Sequence, residues 1–267
     1  MASKNTKAQS KFRDDLVKSW ENTDGVNFAI ALARMTGWLL HVDWWGTDNT
    51  QTENNMVPLR VYVGTDRDII YDFTGKRRIE AFNQYVILPI AKKRAHPPIG
   101  AVITRFYSEE KLLSLPLRVK ASEIEITKAE DAIKNNKSFL DKIIVRLNPH
   151  IPAEWAAQFS FGWCTVYAAA LEDVRGYQAT AIIVSRYTEQ FQNTKPGFCH
   201  CVIVHPDGEM EDSWGKQPVQ NVLERFGIEG YSLSREEYQK ALESIKINSH
   251  ERYDAAYTKA SNFLKVL

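Results

Sequence analysis

Two stretches of this 267-residue chain spell out the same order of elements, and that repetition restricts the fold more than composition does. In the first, the apolar helical run NFAIALARM stops at Thr36-Gly37, and the strand-like WLLHVDWW follows. A polar loop, GTDNTQTENN, leads to LRVYVGTDRDIIYDFTG, which reads as strand, turn, strand. In the second, TVYAAALEDV ends at Arg175-Gly176 and is followed by YQATAIIV, the loop TEQFQNTKPG and CHCVIVHPDGEMEDSWG. Gly37 and Gly75 are 38 residues apart, and Gly176 and Gly215 are 39 apart. Within these blocks Asp72-Phe73-Thr74-Gly75 lines up with Asp212-Ser213-Trp214-Gly215, and Arg60 falls where His200 stands. The helix that begins at Cys164 has its counterpart near Val26-Asn27. The expectation is a duplicated α+β unit whose first copy lacks a thiol and a histidine. Chance recurrence of a common helix-and-hairpin order is the competing explanation.

Around the repeats, Phe12, Leu16 and Trp20 predict a helix over residues 9 to 22, and residues 83 to 150 read as mixed, with a breaker at HPPIG and a helical run near 127 to 142. Pro149 and Pro152 in RLNPHIP disfavour continuous helix, which sets two domains at residues 1–150 and 151–267. Past the second repeat, QPVQNVLERFG reads as a short helix with a glycine stop, and Ser234 with Glu237 forms a capping box for SREEYQKALESIKI. Asn248 or Ser249 can cap a last helix, HERYDAAYTKASNFLKV. A formal charge of +1 gives no nucleic-acid or acidic-membrane footprint, and AKKRAH and TGKRR read as solvated faces. The polar start MASKNTKAQSKFRDD lacks a secretory core and no window reaches the apolar length of a membrane span, so a cytoplasmic chain is expected. The three cysteines, Cys164, Cys199 and Cys201, do not form a disulfide framework.

Chemistry is suggested where Cys164 opens a helix. A thiol there lies in the positive end of the helix dipole, which favours thiolate, the nucleophilic form. Gly162 would permit close approach, and backbone amides at the helix start can face an oxyanion. In VHPDGE, a type I turn with a glycine bulge pairs His205 with Glu209; counting outward sets Val202 opposite Asp212. His200 and Asp212 then share a face as diagonal neighbours, and a carboxylate-imidazole bond fixes the ring's tautomer and stabilises its protonated form.

Gln158, Cys164, His200 and Asp212-Ser213-Trp214-Gly215 together resemble the papain-like cysteine peptidases in chain order and local detail. In that family a glutamine six residues before the nucleophile helps form the oxyanion hole, and the third catalytic residue is the asparagine of an Asn-Ser-Trp-Gly stretch, where this chain has Asp212. Transglutaminase-like hydrolases on the same core use Cys, His and Asp. The resemblance implies a helix bearing the nucleophile packed on an antiparallel sheet, with Cys164 as nucleophile, His200 as general base and acid, Asp212 as orienter and Gln158 as oxyanion donor. It implies a peptidase or deamidase, in the manner of a toxin or effector, acting on a protein or peptide without a cofactor. Only 36 residues separate Cys164 from His200, far fewer than in papain, and the match covers about residues 152 to 226. Fold and triad do not choose among the chemistries such a core supports.

Other readings stand beside this one. Cysteine is often simply buried, so Cys164 can pack its helix start and both repeats can form a non-catalytic protein-binding module. Cys199 and Cys201 suggest a redox or metal sensor; strand alternation sends both to the face opposite His200, and a second ligand pair for zinc is missing. Asp207 is explained by its turn, Arg60 and Asp72 are expected to form a structural ion pair, and Trp38, Trp44 and Trp45 read as core. His41 reads as core or interface, and His96, His150, His205 and His250 as surface.

Overall fold

The computed structural model describes residues 12–65, 69–94, 99–143, 145–146, 151–160 and 162–265. The chain is α+β and divides into two compact units, Met1–Val145 and Arg146–Leu267, each with its own five-stranded sheet in which the neighbouring strands run antiparallel. The division falls at the start of the RLNPHIP stretch; residues 147–150 lie outside the described residues.

In the first unit α1 (Asp14–Asn22) and α2 (Val26–Thr36) precede β1 (Leu39–Gly46), β2 (Val57–Gly64), β3 (Ile69–Asp72) and β4 (Gly75–Arg78). Next come α3 (Ile79–Phe82), a π turn over Asn83–Ile87, α4 (Leu88–Arg94), β5 (Ala101–Tyr107), α5 (Glu109–Ser114), α6 (Glu123–Lys134) and α7 (Lys137–Leu140). The predicted first helix begins at Asp14, and residues 9 to 11 lie outside the described residues. α2 is buried from Val26 through Leu32, as an almost continuously apolar helix must be. Gly37 ends it in the left-handed region (φ 73°), its N–H donating to Ala33 O at 2.8 Å. α2 packs on β1 and β2, while α3, the π turn and α4 bury Phe82, Ile87 and Ala91 against Leu59, Tyr62 and Ile70. Trp38 and Trp44 are core, as expected, and the Trp44 indole donates to the Tyr107 hydroxyl at 3.1 Å.

The second unit runs α8 (Ala153–Ser160), α9 (Cys164–Arg175), β6 (Ala179–Tyr187), β7 (Gly197–Val204), β8 (Met210–Asp212), β9 (Gly215–Gln217), α10 (Val219–Phe226), β10 (Ile228–Ser234), α11 (Arg235–Asn248) and α12 (His250–Lys265). Phe159 and Ser160 complete α8. α9 is buried from Cys164 through Leu171 and ends at Gly176 (φ 74°) as α2 does at Gly37. It packs on β6 and β7, with α12 along it. On the sheet's other face, Val222 and Phe226 of α10 close over Ile182, Val184 and Val202. Ser234 caps α11 through the Glu237 N–H at 3.1 Å, as the capping box predicts. No helix is long and apolar enough to cross a membrane among the described residues.

The two sheets have the same order, β4-β3-β2-β1-β5 and β9-β8-β7-β6-β10. The correspondence extends to irregularities. β2 pairs Arg60 with Asp43 and then Pro58 with Trp44, leaving Leu59 as the extra residue of a β-bulge. β7 pairs His200 with Ile182 and then Phe198 with Ile183, leaving Cys199 as the extra residue. Each third strand ends in a two-residue turn closed by a positive-φ glycine, with Asp72 pairing Gly75 and Asp212 pairing Gly215. In both turns the aspartate Oδ1 accepts the N–H two residues on, from Thr74 and from Trp214, each at 2.8 Å.

A buried acid marks the first sheet. Asp43 Oδ1 accepts from Thr104 Oγ1 at 2.6 Å and from the Tyr62 hydroxyl at 3.0 Å, while Oδ2 is buried without a hydrogen-bond partner. Burial outweighs both bonds and pushes this carboxyl up from 3.8 to about 6. A carboxyl with a raised folded pKa binds its proton more tightly when folded, so stability falls as pH rises from about 4 to about 6 and is flat above. Asp43→Asn should remove that slope, gaining on the order of 3 kcal/mol over wild type above about pH 7 and little near pH 4. Urea unfolding of both proteins at the two pH values measures it, and parallel pH curves would refute it.

Candidate active site

The hairpin register forms as its turn chemistry requires. His205 N–H donates to Glu209 O and Gly208 N–H to His205 O, both at 2.9 Å, and Gly208 takes the bulge position at φ 85°. Ile203 then pairs with Glu211 and Val204 with Met210, which carries Asp212 to the level of Val202. From β7, His200 donates through Nε2 to Asp212 Oδ2 at 2.7 Å. Cys164 stands at the first position of α9, 8% exposed, beside His200 at 1% and Asp212 at 2%.

The structure thus brings Cys164, His200 and Asp212 together. His200 Nδ1 makes no hydrogen bond of regular geometry, and the thiol of Cys164 is the acid that interacts with this imidazole. Burial alone would pull the ring down, but the bond to Asp212 and the neighbouring Cys164 outweigh burial and raise it to about 9. Cys164 is driven well below the usual thiol value. The neighbouring Cys201 thiol contributes most; burial opposes ionisation, and the charge of the adjacent His200 adds to the effect. Burial pushes Asp212 up, but the charge of Arg225 and then His200 outweigh it and hold the carboxyl far below its ordinary range. Both shifts favour a thiolate beside an imidazolium, each stabilising the other.

Gln158 lies on α8 with its side chain exposed. Its helix is tied to the Asp212 turn, because Ser213 Oγ donates to Ala156 O at 2.8 Å and lies 3.0 Å from Ser160 Oγ. Gly162, at φ 100°, has open space where a Cβ would project, two residues before Cys164.

Several residues were misplaced or missed. The bulge at Cys199 breaks simple alternation, so the two cysteines do not share a face. Cys199 packs against the cluster of Val202 and Phe226, whereas Cys201 is buried, with Sγ 3.5 Å from Thr165 Oγ1 of α9. Burial and the neighbouring Cys164 push Cys201 strongly up, so it remains a thiol. Among the described residues no group of three or more His, Cys, Asp or Glu could hold a metal. His205 is half-buried, donating to Glu211 at 2.8 Å beside Arg175. His41 is stacked on Tyr62, and burial lowers it to about 4. His250 is exposed near Asp254; His96 and His150 lie outside the described residues.

The largest omission is Arg225. From α10 its guanidinium makes a very short contact with Asp212 Oδ2 and lies 3.5 Å from Oδ1, stacked 4.5 Å from the Trp214 ring centroid and 4.6 Å from that of Phe226. Gln217 Nε2 donates to Asp212 Oδ1 at 3.2 Å. The available sequence signal was a cation in an otherwise amphipathic helix, next to its glycine stop.

In the first unit the equivalent place is filled differently. Counting back from the helix-ending glycines aligns Cys164 with Gly25, not Val26-Asn27; a Cβ on Gly25 would lie 2.7 Å from Val61 O and 3.4 Å from Arg60 Cδ. The Val61 N–H, matching the Cys201 N–H that bonds the Cys164 sulfur, donates to Asp24 O at 2.8 Å. The expected Arg60–Asp72 ion pair is not formed. Arg60 lies 4.7 Å over Phe73 with Nε and Nη1 lacking hydrogen-bond partners, and Asp72 is held by its own turn. Arg94 and Arg118 pair with Asp24 at 2.6 and 2.9 Å instead. No family model, curated protein or solved structure matches this chain.

Proposed function

We propose that the second unit is a cysteine hydrolase that cleaves an amide, as a peptidase or deamidase. The observation that carries this reading is the Cys164 thiol at the start of α9 beside an imidazole whose far nitrogen is bonded to Asp212 at 2.7 Å. In the proposed reaction the Cys164 thiolate attacks the carbonyl carbon, and the imidazolium of His200 gives its proton to the departing amine. Water, deprotonated by the now neutral His200, then releases the acyl group. The first-turn N–H groups of α9 face the oxyanion, with exposed Gln158 as a further donor when substrate is bound.

We further infer that the units descend from one papain-like or transglutaminase-like ancestor by duplication. Matching sheet order, bulges, aspartate turns and helix-ending glycines support this; the first copy has Gly25 and Arg60 where the second has Cys164 and His200. The functional test is release of amine or ammonia from a peptide and glutamine-amide library. Cys164→Ala and His200→Ala should each lower turnover by at least about 10³-fold while retaining the fold. Wild-type turnover in either variant would overturn the mechanism. A wild type inert toward every substrate, with an unreactive thiol, would support a protein-binding module instead.

A further inference from the structure

We propose that Arg225 is a positioning residue that makes Asp212 an electrically neutral partner for His200, so that a carboxylate orients the ring as an uncharged amide would. This rests on the reading of Cys164 and His200 as nucleophile and base.

The geometry is specific. Arg225 and Asp212 have side chains only 1% and 2% exposed, so the charges compensate each other where water does not. Both carboxylate oxygens face the guanidinium, and Nη2 also stands 3.4 Å from His200 Nε2. Phe226, next to Arg225 in sequence, lies 4.5 Å from the imidazole centroid, so one short segment of α10 contacts ring and carboxylate together. A lone buried aspartate would bind the imidazolium so tightly that the ring would return its proton poorly. A buried cation at the same carboxylate offsets that pull while leaving the orienting hydrogen bond in place.

Two other groups act on the same pair. Cys164 faces the ring from α9, and Arg146, ahead of α8, is a second buried cation that interacts with Asp212 while donating to Ile151 O at 2.6 Å; Arg225 is the one in ion-pair contact with the carboxylate. Ile182, opposite His200 on β6, is apolar.

The test follows the His200 ring proton resonances and the rate of Cys164 alkylation by iodoacetamide across pH in full-length protein. Arg225→Met should raise the His200 titration by at least about one pH unit, and Arg225→Lys by less than about half a unit. Asp212→Asn leaves Arg225 uncompensated beside the ring and should slow Cys164 labelling at neutral pH. The double variant Asp212→Asn/Arg225→Met, neutral again, should recover at least about tenfold of that loss. An unmoved His200 titration in folded Arg225→Met overturns the proposal, as does a double variant no faster than Asp212→Asn. Should Arg225→Met not fold, the comparison of Asp212→Asn with the double variant decides alone. Failure of the underlying reading looks different, since wild-type Cys164 would then label with the steep pH dependence of an ordinary thiol whatever stands at position 225.

Discussion

Iodoacetamide should label Cys164 at a rate that changes by less than about threefold between about pH 5.5 and 7.5, where an ordinary thiol of pKa about 8.5 changes by about 100-fold. The flat profile follows from a thiol held well below its usual value and an imidazole raised to about 9, between which thiolate and imidazolium coexist. Absolute rate is a poorer readout, because a thiolate of low pKa is intrinsically a weaker nucleophile. His200→Ala should restore part of the slope, leaving the larger stabilisation, from Cys201, in place. Cys201, pushed in the opposite direction by burial, should stay unlabelled in the folded protein, giving an internal control read by peptide mass. A steep wild-type profile, or one unchanged in His200→Ala, would remove the ion pair from the mechanism.

Asp212→Ala should destabilise the second unit by about 3–5 kcal/mol, because it strands the Arg225 guanidinium in an apolar sandwich of Trp214 and Phe226. Loss of the turn bond to the Trp214 N–H and of the Gln217 contact adds to the cost. Urea unfolding, followed by the fluorescence of Trp214 and its neighbours, measures the change. A loss below about 1 kcal/mol would mean that Arg225 finds another partner or water, and that the carboxylate is not the anchor of the turn.

The β7–β8 hairpin was legible because its register is set by five adjacent residues, His205 through Glu209, whose turn chemistry is local. Both helix-ending glycines were legible for the same reason. The edge strands β5 and β10 were not: each pairs along one side only, and β10 exposes Tyr231 and Leu233, so neither shows the clear alternation of a half-buried strand. The bulge at Cys199 was also hidden, since nothing in CHCVIV marks the extra residue, and it overturned the placement of the cysteines. Arg225 acts on a residue 13 positions away through a tertiary contact, beyond the reach of local pattern.

Gly25 has an evolutionary consequence. A thiol introduced there would need left-handed backbone at φ 79° and would crowd the Val61 carbonyl, while a histidine at position 60 without that thiol would have no partner to activate. Each step is harmful or idle alone, so a fitness valley separates the first unit from hydrolytic chemistry. Under the proposed function, its drift is free to explore surfaces and loops, while the second unit is held by Cys164 and His200.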